Sequence, residues 1–202
     1  GAVLKLGQLL SARPDLMPKA WVDELATLQD AAPPLPFETV VSVVEANLGG
    51  PLTQWFLSFD ATPIGCASIG QVHKAVLLDG TVVAVKVQRP GIAKLIASDM
   101  SWLRMLLTAS ASTLPVDVET VSAELQSALL SEVDYVEELR ALQEIGALLA
   151  KQGGMRAPTA FPALCGPQIL TTSFVEGEKI TVVLDRLQAQ AERGDAQAQA
   201  RL

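Results

Sequence analysis

Three groups of residues in this 202-residue chain have types and spacing suited to chemistry. The first is Lys86, at the end of the β-rich run Val82-Val83-Ala84-Val85-Lys86. A strand is a good mount for a lysine that must hold an anion, because it fixes the stem while the ammonium reaches forward. The second is the small-residue loop Gly65-Cys66-Ala67-Ser68-Ile69-Gly70, whose short side chains let backbone approach a ligand closely. The third is the acidic set Glu132, Asp134 and Glu138, where carboxylates could position an ammonium or a cation. Each group taken singly has a plainer reading. A lone Val-Ala-Val-Lys is more often an ordinary hairpin lysine, and acids on a helix are more often a solvated face.

The elements around these residues follow from periodicity and punctuation. Residues 1–60 read as helical. A first helix carries Val3, Leu6, Leu9 and Leu10, and is broken at Ser11-Ala12-Arg13-Pro14-Asp15. Pro18 can open a second helix with Trp21, Leu25 and Leu28 on one face. Pro33-Pro34-Leu35-Pro36 stops it, and a third helix is predicted from Phe37 to Leu48, ending at Gly49-Gly50. Gln71–Leu78 and Thr81–Gln88 read as strands joined by Asp79-Gly80 as a two-residue turn. Helices are predicted over 91–112 and, unbroken, over 117–152, so that Asp134 and Glu138 share a helical face while Glu132 points elsewhere. Two further short strands are predicted between Pro158 and Phe174. Helices, a hairpin, helices and strands again make an α+β fold rather than an alternating βαβ one.

Composition excludes several functions. Lys plus Arg number 15 against 22 Asp plus Glu, a net charge of −7, so no nucleic-acid partner is expected. Two cysteines, Cys66 and Cys165, suit a reducing compartment, and a cytoplasmic location is expected. A single histidine, His73, leaves no multi-histidine metal site and reads as structural. Met105 to Val116 lacks charge but is interrupted by Ser, Thr and Pro, so no membrane span is expected. No leader of basic, apolar and small residues is visible after Gly1.

The chain carries Lys5-x-Gly7-Gln8, Arg13-Pro14-Asp15-Leu16, Leu28-Gln29-Asp30 with Pro33-Pro34, Ser68-Ile69-x-Gln71-Val72-His73, Val83 to Gly91 (V-A-V-K-V-Q-R-P-G) and Glu132-x-Asp134-Tyr135-x-x-Glu138. Taken together, these motifs resemble the UbiB family of atypical kinases, the ADCK-like proteins tied to ubiquinone biosynthesis. The motifs occur in family order over about residues 4–180. The resemblance implies a protein-kinase-like N-lobe, a small antiparallel sheet with a long helix, preceded by a family-specific helical extension. Residues 1–60 would be the extension, 61–178 the N-lobe to the hinge, and 179–202 a helical segment beginning the C-lobe.

Roles follow by the same resemblance. Lys86 would contact ATP phosphates and pair with Glu138. Glu132 and Asp134 would be the acidic pair, and Lys5 and Gln8 would cover the nucleotide site. Gly65, Cys66, Ala67 and Ser68 would form the counterpart of the alanine-rich loop, with Gly65 and Cys66 where alanine is usual. Glu176 would lie at the hinge. ATP and Mg²⁺ are the implied cofactors, with a membrane surface or lipid-biosynthesis proteins as partners of the full-length protein. Beyond Gly177 there are only Asp185 and Asp195, no His, no Asn and no Asp-Phe-Gly, so no metal ligand is assigned. The chain is therefore expected to be an N-lobe fragment that is inactive alone. The alternative is a non-catalytic helical binding module or pseudokinase remnant.

Overall fold

A computed structural model describes residues 33–109, 118–178 and 180–193. Lys5 and Gln8, with the two helices expected ahead of Pro33, lie outside these residues. The first described helix, α1 (Phe37–Leu48), ends as expected at Gly49, whose φ of 73° places it in the left-handed region that favours glycine. Val40, Val43 and Val44 recur on one face of α1 and are buried.

Five antiparallel strands follow. They are β1 (Phe56–Phe59), β2 (Gly65–Cys66), β3 (Gly70–Leu77), β4 (Val82–Gln88) and β5 (Ile169–Ser173), in the order β1-β3-β4-β5 with β2 paired to β3. Strand β1 falls within the stretch expected to be wholly helical. It pairs with β3 from Phe56 opposite Leu77 to Phe59 opposite Ala75, and Phe56 is buried in the sheet's core. Only tertiary pairing makes so short a run a strand. Between Pro158 and Phe174 there is one strand, β5, rather than two. The rest contributes isolated bridges, Ala160 to Thr172 and Gly166 to Ile169.

The β3–β4 connection is also longer than the expected two-residue turn. Leu78, Asp79 and Gly80 form a three-residue loop, with Leu77 N–H donating to Thr81 O and Gly80 N–H to Leu77 O. Gly80 takes φ 86°, the left-handed residue that such loops require.

Alternation along β4 sorts its side chains. Val83, Val85 and Val87 have no exposed surface and pack with Val40 and Val44 of α1, Ile169 and Leu164 in one aliphatic core. Lys86 and Gln88 therefore stand on the opposite face. The remaining helices are α2 (Ile92–Ala109), α3 (Val118–Ser131), α4 (Tyr135–Gln152), which meets that face through Glu138, and α5 (Ile180–Glu192), which follows β5. A second core joins Ile92, Ile96 and Met100 of α2 to Leu129 of α3, and Ile69 of the small-residue loop is inserted into it.

The expected unbroken helix over 117–152 is two helices separated at Glu132, Val133 and Asp134. Asp134 caps α4, its Oδ1 accepting from Val136 N at 3.1 Å and Glu137 N at 3.0 Å. A side chain that satisfies the orphan amides of a new helix competes with continuation of the old one. Replacing Asp134 with Ala is expected to cost about 1 kcal/mol, and Asp134→Ser much less, since serine also caps. Urea denaturation midpoints of the two variants check this.

His73 lies in β3 with no exposed surface. Gln71 Oε1 accepts from Leu35 N at 2.6 Å, which turns the Gln71 amide nitrogen towards His73 Nε2 at 2.7 Å. That ring nitrogen must then be the acceptor, so Nδ1 carries the proton and donates to Asp60 O at 2.7 Å. Burial lowers the His73 pKa below its ordinary 6.5, outweighing the pull of the Asp60 carbonyl and charge. The neutral ring is the folded form. Its contribution to stability is complete above 6.5 and is lost as pH falls through the lowered value. Stability is expected to fall as pH drops below about 6.5, by at most about 1.4 kcal/mol per pH unit for this group. His73→Gln should flatten that part of the profile when midpoints are compared across pH.

Candidate active site

The β-strand mount and the acidic helix meet. Lys86 Nζ donates to Glu138 Oε1 at 2.8 Å and to Oε2 at 2.6 Å. Both side chains are about one-third exposed or more, at 34% and 40%, so the net stabilisation is small, about 0–1 kcal/mol. What the pair does is orient: it ties β4 to the first turn of α4 across 52 residues of sequence. Beneath it, the Tyr135 ring is buried, and Lys86 Nζ stands 4.5 Å from its centroid. Burial, then the charges of Glu138 and Glu132, hold the Tyr135 phenol well above its ordinary pKa, so it stays protonated. An open cleft of about 440 Å³ lies beside the pair, lined by Lys86, Ser131, Glu132, Glu137, Glu138 and Ala141.

Two neighbouring residues of β4 and its end extend this fastening, and neither stood out as a site residue in the sequence. Gln88, buried, donates from Nε2 to Val133 O at 2.7 Å and so holds the turn between α3 and α4. Arg89 donates from Nε to Ala67 O at 3.1 Å and from Nη2 to Pro33 O at 2.6 Å. The signal for the α3–α4 turn was present, since Asp134 followed three residues later by Glu137 is a helix-start pattern. For Gln88 and Arg89 nothing in the local pattern shows which carbonyls they reach.

The expected residues are placed as follows. Glu132 lies in the turn and Asp134 on the α4 cap, so they do not share helical geometry with Glu138. Gly65 and Cys66 pair with Val72 and Gln71, which makes the loop a tight hairpin closed by Ala67 N donating to Gly70 O at 2.8 Å. Cys66 is a free thiol of intermediate exposure, Ala67 is exposed and Ser68 is buried. Glu176 is exposed in the segment after β5. Among the described residues no group of three His, Cys, Asp or Glu is arranged to hold a metal, and no helix is long and apolar enough to cross a membrane.

Comparison with known proteins follows the same outline. Residues 27–199 match the ABC1 atypical kinase-like domain. Atypical kinase COQ8, mitochondrial, of Saccharomyces cerevisiae is 39% identical over 183 residues, which is 89% of this chain and 36% of that protein. Protein ACTIVITY OF BC1 COMPLEX KINASE 7, chloroplastic, of Arabidopsis thaliana is 37% identical over 194 residues, 95% of this chain and 27% of the relative. Among solved structures, Rv3197 of Mycobacterium tuberculosis, determined with erythromycin, superposes with a TM-score of 0.65 at 29% identity, over 92% of this chain and 47% of that one. The chain thus spans roughly a quarter to a third of the length of these two curated relatives. With a matched domain that covers most of its length, the chain belongs to the ABC1 atypical kinase-like family, to which the UbiB-like motifs pointed.

Proposed function

We propose that this chain is the nucleotide-holding lobe of an ABC1-type atypical kinase or ATPase. The observation that carries the proposal is the bidentate Lys86–Glu138 pair beside the small-residue hairpin. A kinase-like lobe needs a strand lysine held by a helix carboxylate, so that its ammonium is pre-positioned for phosphate oxygens. Lys86 would bind the phosphates, Glu138 would orient it, and the 65–70 hairpin would lie over the ligand. The segment from Phe174 to Glu176, which leaves β5, would offer backbone groups to the adenine.

Family membership implies ATP and Mg²⁺. ATP fits the residues present, namely a fixed ammonium, small loop residues and an open cleft. Mg²⁺ usually takes one or two carboxylates with phosphate oxygens and water, and would supply charge neutralisation. Its ligands, the catalytic Asp and the Asp-Phe-Gly counterpart are proposed to come from sequence beyond this chain. A link to ubiquinone biosynthesis, and partners at a membrane surface, belong to the same proposal and rest on the UbiB resemblance.

The test is titration of the chain with ATP, with and without Mg²⁺, followed by backbone amide shifts, together with ATP hydrolysis on the same sample. Weak binding confined to residues near Lys86, without turnover, is expected. Shifts that avoid Lys86 and the 65–70 hairpin would reject the nucleotide reading. Submicromolar, Mg²⁺-dependent binding or turnover lost in Lys86→Ala would reject the division of labour with outside sequence.

A further inference from the structure

Arg89 donates three hydrogen bonds at one corner of the sheet. Its backbone N–H donates to Ile69 O at 2.8 Å, its Nε to Ala67 O at 3.1 Å, and its Nη2 to Pro33 O at 2.6 Å. The first two hold the small-residue hairpin, and the third holds the arm that leads into α1. That arm is fastened again at Leu35, whose N–H donates to Gln71 Oε1 at the start of β3. We propose that Arg89 is a positioning residue that couples the arm ahead of α1 to the 65–70 hairpin, so that displacing the arm changes the geometry of the hairpin. The proposal rests on the nucleotide reading only for its consequence; the coupling itself is a property of the fold.

The physical case has three parts. A guanidinium is a rigid planar fork, so an Arg that reaches two carbonyls fixes the angle between them, which a lysine ammonium on a flexible stem cannot do. The two carbonyls belong to residues 33 and 67, which no regular element connects directly. Finally, Ile69 of the hairpin is anchored in the α2–α3 core, so the tip is held by that core and by Arg89, through which the arm acts.

Hydrogen exchange on the 202-residue chain tests the coupling. In Arg89→Ala, the amide of Leu35, the one N–H in the Pro33-Pro34-Leu35-Pro36 arm, and those of residues 67–70 are expected to exchange together, about tenfold faster, while α1 and the β4–β5 pairing keep wild-type protection. Arg89→Lys should restore at most one of the two segments. Leu35→Ala loosens the packing of the arm without touching Arg89, and should also speed exchange in residues 67–70. Faster exchange confined to the hairpin in Arg89→Ala, full rescue by lysine, or an unchanged hairpin in Leu35→Ala would each overturn the coupling. Should Arg89→Ala lower protection throughout, the Leu35→Ala result decides. Mg-ATP titrations of the same variants, beside Lys86→Ala, report separately on the nucleotide reading: if Lys86→Ala binds as wild type does, that reading fails while the exchange result stands on its own.

Discussion

Replacing Gly70 with Ala is expected to destabilise the protein by about 2–3 kcal/mol, the upper part of the range for overpacking a close contact. A methyl at this position would lie 2.5 Å from Val87 O, 3.2 Å from Val87 C and 2.8 Å from Tyr135 Oη. Two of these three atoms are backbone of β4, paired to β3 on one side and β5 on the other, and cannot swing aside like the end of a flexible side chain. The requirement is close approach, since Gly70 is absent from the glycines with positive φ. The damage would be local to the site as well, because Val87 adjoins Lys86 and the Tyr135 ring lies under the lysine. Gly65→Ala is the control. A methyl there meets nothing within 4 Å, and its denaturation midpoint should match wild type. Equal midpoints for the two variants would show that β3 can move away from β4 at little cost.

Replacing Lys86 with Ala should weaken Mg-ATP binding by about 10–100-fold, the loss of one hydrogen bond to a charged partner. Stability should change by less than about 1 kcal/mol, because Glu138 is 40% exposed and water replaces the lost ammonium. This separation distinguishes a binding lysine from a structural one. A fully buried pair would lose several kcal/mol on removal of one partner. Calorimetric or NMR titration measures the first quantity and urea denaturation the second. A large fall in stability with affinity unchanged would make the pair a fold element and nothing more.

Much of this arrangement is local and therefore legible in the sequence. Period-two alternation in Val83, Val85 and Val87 assigns Lys86 to the opposite face, because each strand residue's direction depends only on its neighbours. The end of α1 at Gly49 and the α+β order are local in the same sense, set by glycine at positive φ and by runs of like propensity. That Lys86 meets Glu138 was expected from the family motif rather than from local pattern, and the distances agree.

Tertiary structure decided the rest. Phe56–Phe59 is a strand because β3 offers it an edge, which four residues cannot announce by themselves. The break at residues 132–134 reflects a competition. Apolar residues at helical spacing, Leu129 and Val133 among them, favour continuation, while the Asp134 carboxylate caps a new helix and Gln88, 45 residues away in sequence, takes the Val133 carbonyl. Arg89 chooses its carbonyls 22 and 56 residues away. Hydrogen bonds over such separations depend on where whole elements pack, and packing is set by the shared cores under α1 and between α2 and α3. Side-chain type shows that Gln88 and Arg89 can donate; only the folded chain settles which acceptors they find.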